Sequence, residues 1–303
     1  MRLLITGAWK EAEKFISQLE GYGHRVIFMQ HEADRLPCEP SWAEGVVCNG
    51  LFLHHEIEAF TNLKYIQLTS AGLDRVPVEY IRKHKIALNN ARGVYSIPMA
   101  EFAVCGVLQI LKKALLFREN QNRHLWEKHR GLSELFGKRV LVIGCGSVGT
   151  ECAKRFSAFG CEVFGVDIKP ADDPRFKKIF GLKELVKEVS SADIIILTLP
   201  LNGQTEGLFD KKLLNSIKPG GVIVNISRGK VIDTGALTDA LNCRDIYAVL
   251  DVFEDEPLSA ESPLWDMKNV IITPHNSFVG DGNAERLSKC ILSGLLLNNR
   301  EVI

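Results

Sequence analysis

The sequence predicts an α/β protein built from two domains, each wound around a parallel sheet. Three observations carry that expectation. Short apolar runs alternate with amphipathic stretches almost from end to end, the pattern of parallel strands joined by crossover helices. The length of 303 residues suits two domains rather than one. A glycine-rich fingerprint stands at 144–149, with no counterpart in the first half.

The elements follow in order. In the first half the strand candidates are Leu3–Thr6, Arg25–Met29, Gly45–Cys48, Tyr65–Thr69 and Ile86–Leu88, with helix-like stretches between several of them. A long helix is predicted next. Pro98 falls in its first turn, where a missing N–H costs nothing, and Ser96 is its candidate cap. It is expected to run, largely buried, to about Arg118, before a polar stretch from Glu119 to Gly131 that reads as loop or irregular helix. The second half opens at Lys138 with the strand Arg139–Ile143. Val163–Val166, Asp193–Leu199, Gly221–Ile226, Tyr247–Val252 and Val270–Thr273 follow at βα spacing. Helices are predicted over Ser147–Phe159, Leu182–Val189 and Gly235–Leu241, and a last one over Asn283–Asn299.

Composition narrows the function classes. Lys plus Arg number 37, equal to Asp plus Glu, and no basic run occurs, which argues against a nucleic-acid partner held by charge. The N-terminus Met1-Arg2-Leu3-Leu4-Ile5-Thr6-Gly7 lacks the apolar core of a signal peptide. The longest apolar stretch, Phe102 to Leu116, is interrupted by Gln109, Lys112 and Lys113, so no membrane span is expected and the protein reads as cytoplasmic. None of the eight cysteines forms a C-x-x-C pair; they read as reduced, mostly buried thiols.

The fingerprint is Gly144-Cys145-Gly146-Ser147-Val148-Gly149, entered from the strand Val140-Leu141-Val142-Ile143 and opening a helix near Ser147. Gly144 permits the tight turn, Gly146 lets backbone approach a pyrophosphate, and Gly149 lets helix pack on strand. The helix N-terminus offers N–H groups and a partial positive charge to the phosphates. Asp167, at the end of the next strand, can accept from both adenosine ribose hydroxyls and would repel a 2′-phosphate. This favours NAD, while Lys169 leaves NADP open as a second cofactor. The second half is thus a Rossmann-like domain.

Reducing a keto acid needs a cation for the carboxylate and carbonyl, an acid to protonate the nascent alkoxide, and a partner that keeps this acid charged. Arg228, Glu256 and His275 supply these types, each just past a predicted strand of the second half. Carboxyl ends of strands line the ligand crevice of an open parallel sheet, so the three can converge.

The segment from Gly144 to His275 resembles the NAD-dependent D-2-hydroxyacid dehydrogenase family. The resemblance rests on the fingerprint, Leu199-Pro200-Leu201 with Thr205-Glu206-Gly207, Lys218-Pro219-Gly220-Gly221, Asn225-Ile226-Ser227-Arg228-Gly229, Asp251-Val252-Phe253 with Glu256-Pro257, and Thr273-Pro274-His275. The first half joins it at Thr69-Ser70-Ala71-Gly72-Leu73-Asp74, at Asn90-Ala91-Arg92-Gly93-Val94-Tyr95-Ser96 and at Ala100-Glu101. It implies two Rossmann-like or flavodoxin-like domains, with an NAD-binding domain (97–278) inserted in a substrate domain (1–96 completed by 279–303). It implies Arg228 as the substrate-binding cation, His275 as general acid/base and Glu256 as its partner. The N–H groups of Ala71 and Gly72, beside Ser70, would receive the substrate carboxylate. Asp251 would bind the nicotinamide carboxamide, Thr198, Leu199 and Pro200 would pass over the cofactor, and Ile226 would lie near the nicotinamide ribose. Ser147, Val148 and Ser277 complete the implied cofactor set. The expected reaction interconverts a small 2-keto acid and its D-2-hydroxy acid, with glyoxylate, hydroxypyruvate and 3-phosphoglycerate as first candidates, in a homodimer.

The sequence departs from the family after His275, where Asn276-Ser277-Phe278 replaces Ile and small residues. It ends soon after the predicted final helix, so the regulatory domain that some phosphoglycerate dehydrogenases carry is not expected. His54-His55 with Glu56 and Glu58 lacks a third ligand on one face and is not read as a metal site. Trp126, in the polar stretch, reads as a solvated loop residue, although similar enzymes place this region near a dimer interface. An NAD(H)-sensing, corepressor-like binding protein is the alternative reading. Formate oxidation is a further one, disfavoured by Glu256 where formate dehydrogenases carry Gln.

Overall fold

The computed structural model describes residues 1–296 and divides the chain into two compact units, Met1–Tyr95 with the chain from Gly280 on, and Ser96–Val279. Unit 1 opens with β1 (Arg2–Thr6), α1 (Ile16–Gly21), β2 (Arg25–Met29), β3 (Gly45–Cys48), β4 (Tyr65–Leu68), α2 (Val78–Lys83) and β5 (Ala87–Asn89). Its five strands pair in parallel in the order β2-β1-β3-β4-β5. β3 and β4 are buried at every position, as strands covered on both faces must be.

Unit 2 begins with α3 (Ser96–Leu111) and α4 (Ala114–Asn122). Then come β6 (Arg139–Ile143), α5 (Ser147–Ala158), β7 (Glu162–Val166), β8 (Lys178–Phe180), α6 (Leu185–Ser191), β9 (Ile194–Leu197), α7 (Lys211–Ser216), β10 (Gly221–Asn225), α8 (Thr234–Cys243), β11 (Ile246–Leu250) and β12 (Val270–Ile272). Its seven strands are all parallel, in the order β12-β11-β10-β9-β6-β7-β8. Strand alternation divides the core between two layers. Leu141, Ile143, Ile195, Leu197 and Ile223 pack with α6, α7 and α8. Val140, Val142, Ile194, Ile196, Val222 and Val224 pack with α3 and α5 on the opposite face. The chain then returns to unit 1 as α9 (Asn283–Leu296), where Trp9 Nε1 donates to Ser288 Oγ at 2.9 Å and Arg286 Nε to the Val94 carbonyl at 2.8 Å.

Four expectations about elements are revised. The helix expected to reach Arg118 stops at Leu111 and resumes as α4, because Lys113 turns left-handed (φ 53°) and sends its amine to Tyr247 Oη at 3.2 Å. Ser96 is no cap: it lies inside α3, its Oγ buried without a hydrogen-bond partner. The short edge strand β8 was not expected; its three residues, Lys-Ile-Phe, carry too little pattern to separate from loop. The region expected to be helical from Leu182 is a 3-10 turn to Glu184 followed by α6. Residues 297–299 of the expected last helix lie outside the described residues. Among the described residues, no helix is long and apolar enough to cross a membrane.

α3 meets the sheet through Gly106, where a Cβ would stand 2.5 Å from Cγ1 of the fully buried Val249 in β11. Gly106→Ala is predicted to destabilise unit 2 by about 1–3 kcal/mol despite its gain in helix propensity, because a rigid core must move aside. A urea midpoint at or above that of wild type would contradict this.

Candidate active site

The strand register of unit 2 aligns the candidate residues. Asn225 pairs with Leu250, and Leu250 with Ile272, so β10, β11 and β12 end level. Arg228, Asp251 and His275 follow those ends by three, one and three residues, at one edge of the sheet. Arg228 is shaped by a turn that Asn225 organises. The Asn225 Oδ1 accepts from the Ser227 N–H at 3.1 Å and hydroxyl at 2.8 Å, and its Nδ2 donates to the Arg228 carbonyl at 3.0 Å. The half-buried Arg228 donates through Nη1 to the Ser227 carbonyl at 2.8 Å. Gly229 then presses on the next loop: a Cβ there would lie 1.8 Å from the Phe253 carbonyl carbon. Only glycine lets the Arg228 turn and the 253–256 loop come this close.

His275 Nδ1 lies 2.8 Å from Glu256 Oε2. An ionised carboxylate only accepts, so Nδ1 donates and Nε2 is the ring atom left to exchange a proton with a ligand. Glu256 is itself held by the Phe253 N–H, which donates to Oε1 at 3.1 Å. Both side chains are partly exposed, as a group that exchanges protons with a ligand must be.

The backbone under His275 is fixed by Asp251, whose side chain is fully buried. Asp251 Oδ1 accepts from Thr273 Oγ1 and the Asn276 N–H, both at 2.7 Å, and Oδ2 from the Ser277 N–H at 2.9 Å. The His275 N–H donates to the Asp251 carbonyl at 2.7 Å. These bonds bracket His275 on both sides and hold it at φ 50°, a conformation costly for a non-glycine residue unless its surroundings enforce it.

The glycine loop lies where strand order reverses, between β6 and β9, the position at which open α/β sheets take ligands. Gly144 turns with φ 93°, and a Cβ there would stand 2.9 Å from the Thr198 carbonyl oxygen. A Cβ on Gly149 would stand 2.2 Å from the Gly144 carbonyl oxygen. A Cβ on Gly146 would meet nothing within 4 Å, so the space above the loop is open while its underside is packed. No side chain caps the N-terminus of α5, beginning at Ser147 and Val148. This is a cradle suited to a dinucleotide pyrophosphate. Thr198 closes it from β9 by donating to the Gly144 carbonyl at 2.6 Å, with Leu199 half-buried and Pro200 exposed beyond. Asp167 closes it from β7 by accepting the Cys145 N–H at 2.8 Å. Burial pushes the Cys145 thiol up to about 12, so it fills space and is not a nucleophile.

Ile226 is 1% exposed and packs in the core, which leaves only its backbone for any contact with a ribose. Ser277 is buried, its N–H bound to Asp251. In unit 1, Ser70, Ala71 and Gly72 form the loop after β4, with Ala71 exposed. Asn90 Nδ2 donates to the Ala71 carbonyl at 2.7 Å, the Ala91 N–H to the Ser70 carbonyl at 2.9 Å, and Ser70 Oγ to the Gly72 carbonyl at 3.1 Å. Trp126 is 97% exposed. Sequence reasoning assigned no role to Asn225, Gly229 or Thr273, although all three stand inside the motifs quoted for the catalytic residues.

A model of the "D-isomer specific 2-hydroxyacid dehydrogenase, NAD binding domain" family matches residues 104–277. The chain is 31% identical over 232 residues to the (S)-sulfolactate dehydrogenase of Chromohalobacter salexigens, spanning 76% of this chain and 75% of that one. It is 33% identical over 223 residues to the D-3-phosphoglycerate dehydrogenase of Mycobacterium tuberculosis, spanning 72% of this chain but only 42% of the longer relative. A crystal structure of a D-isomer specific 2-hydroxyacid dehydrogenase family protein from Aeromonas salmonicida superposes with a TM-score of 0.82 at 28% identity, covering 99% of this chain and 97% of the other.

An amide in place of the Asp251 carboxylate has one acceptor oxygen for three donors. Asp251→Asn is predicted to lower stability by about 1–3 kcal/mol, because at least one buried donor loses its acceptor. An unchanged melting temperature would show that the bracket is dispensable.

Proposed function

The chain belongs to the D-isomer specific 2-hydroxyacid dehydrogenase family, and from that premise we propose how its residues divide the work of an NAD-dependent oxidoreductase acting on small D-2-hydroxy or 2-keto acids. The observation that carries the proposal is the 2.8 Å contact between His275 Nδ1 and Glu256 Oε2 at the end of the sheet that also bears the glycine loop. A dinucleotide, when bound, supplies or accepts the hydride through its nicotinamide ring.

The glycine loop and the first turn of α5 would hold the pyrophosphate through Gly144, Gly146, Ser147, Val148 and Gly149. Asp167 would accept the adenosine ribose hydroxyls while keeping its bond to the Cys145 N–H, which favours NAD over NADP. Thr198, Leu199 and Pro200 would line the path of the cofactor, with the Ile226 backbone near its ribose. Asp251, fully buried and already accepting three bonds, would act through the backbone it holds, bracing the segment through Ser277 that borders the nicotinamide side of the site.

His275 Nε2 delivers the proton to the forming alkoxide and takes it back in the oxidative direction. Glu256 holds Nδ1 and stabilises the ring when it carries both protons. The Arg228 guanidinium receives the substrate carboxylate and polarises the carbonyl, a fork that lysine would not reproduce. Within unit 1, the N–H groups of Ala71 and Gly72 would offer donors suited to a carboxylate. The Asn90 bond to the Ala71 carbonyl supports this by stiffening the loop.

We place the protein in the cytoplasm, a compartment that suits its eight free thiols. We further propose a homodimer. The exposed Leu115, Phe117, Leu125, Trp126 and Phe136 on α4 and the following segment are the apolar surface such a partner would cover.

Purified protein is expected to oxidise NADH with glyoxylate or hydroxypyruvate, or to reduce NAD with 3-phosphoglycerate or sulfolactate. A panel silent with both NADH and NADPH would overturn the function. His275→Gln should lower kcat by about 10²–10⁴-fold while leaving NADH affinity near wild type. Asp167→Ala should raise the KM for NADH and narrow the preference over NADPH, since that carboxylate both accepts the ribose and braces the loop. An unchanged NADH-to-NADPH ratio would remove Asp167 from cofactor selection.

A further inference from the structure

His275 is restrained at its backbone by Asp251 and at Nδ1 by Glu256. One hydrogen bond at one ring atom does not fix the plane of an imidazole, and the torsion that sets this plane is soft. A third contact meets the ring itself. The Phe278 ring stands perpendicular to it, at 88°, with centroids 6.0 Å apart, the arrangement in which an aromatic edge meets an aromatic face.

The local chain explains how Phe278 reaches back over three residues. The Val279 N–H donates to the Asn276 carbonyl at 3.1 Å and closes a turn over 276–279. Asn276 and Ser277 enter that turn with both N–H groups anchored on the Asp251 carboxylate. The same buried group therefore sets the origin of both rings. Phe278 remains 41% exposed, so burial alone does not account for its place.

We propose that Phe278 is a positioning residue for His275, fixing the imidazole plane so that Nε2 stays aimed at the substrate oxygen. This rests on His275 being the general acid/base. Loss of the ring contact would lower the fraction of enzyme with Nε2 in line without removing a group that binds substrate. The effect therefore falls on kcat and spares KM.

Phe278→Leu keeps apolar volume and removes the aromatic ring, and Phe278→Tyr restores it. Glyoxylate is the substrate of choice because it has no side chain, so changes in pocket shape do not enter. Phe278→Leu is expected to lower kcat about three- to ten-fold, with KM for glyoxylate and NADH within about two-fold of wild type, and Phe278→Tyr to return kcat to within about two-fold. A second readout does not need turnover. The Nδ1 proton shared with Glu256 gives a downfield proton NMR resonance, identified by its loss in His275→Gln. It should be sharp in wild type and Phe278→Tyr and broadened in Phe278→Leu. Wild-type kcat and a sharp resonance in Phe278→Leu would overturn the proposal, as would a leucine effect confined to KM. If no 2-keto acid is turned over, the functional reading fails, and the resonance still decides whether Phe278 orders the ring.

Discussion

Much of the active edge hangs on one buried carboxylate. Asp251 is removed from water, a cost on the order of several kcal/mol for an unpaired ion. Three donors offset it, and all three come from the segment 273–277. The charge therefore cannot be satisfied unless that segment adopts the one conformation that wraps it, and this conformation carries the left-handed His275. Stability and site geometry are thus a single requirement at this point: a chain that solves the electrostatics of Asp251 has also placed the imidazole.

The glycine loop follows a similar rule with different groups. Thr198 from one neighbouring strand and Asp167 from the other close on consecutive residues of the loop, Gly144 and Cys145. The loop is prepared from below, by bonds to its own fold, and is open above Gly146. Such a cradle meets an anion without first ordering itself, so little binding energy is lost to conformational entropy. Carboxylates brace both ends of this machinery. Asp167 braces the loop and is the proposed acceptor for a ribose, and Asp251 braces the histidine segment on which the proposed acid/base stands.

Much of this was legible in the sequence because it is encoded in residues with few alternatives. Among the described residues, eleven of the twelve strands have apolar runs that are plain in the sequence, and the glycines of the fingerprint announce the turn that the structure shows. What could not be read is what depends on packing between distant segments. The left-handed turn at Lys113 goes with a bond from its amine to Tyr247, 134 residues away, a pairing that no local pattern announces. Ser96 has the chemistry of a cap, yet its position within α3 is set by how that helix docks, and its hydroxyl is buried instead. β8 exists because an edge of β7 was available to pair with, a condition that three residues cannot signal. Asp251 belonged to a motif expected to touch cofactor; nothing in its neighbours indicated that three donors would arrive from residues 273–277.

Gly229 shows why the catalytic motif reads so strongly despite carrying only one chemical group. Its missing side chain lets the Arg228 turn lie against the Phe253 carbonyl, and Phe253 in turn holds Glu256, which holds His275. The three groups are therefore linked through one backbone contact that tolerates no added atom and two hydrogen bonds of the Glu256 carboxylate, so moving the arginine turn would disturb the carboxylate that meets the imidazole. A motif of this kind specifies distances between residues far apart in sequence. The glycine beside the arginine sets how close the 253–256 loop and its glutamate come, while Asp251 independently places the histidine that the glutamate meets.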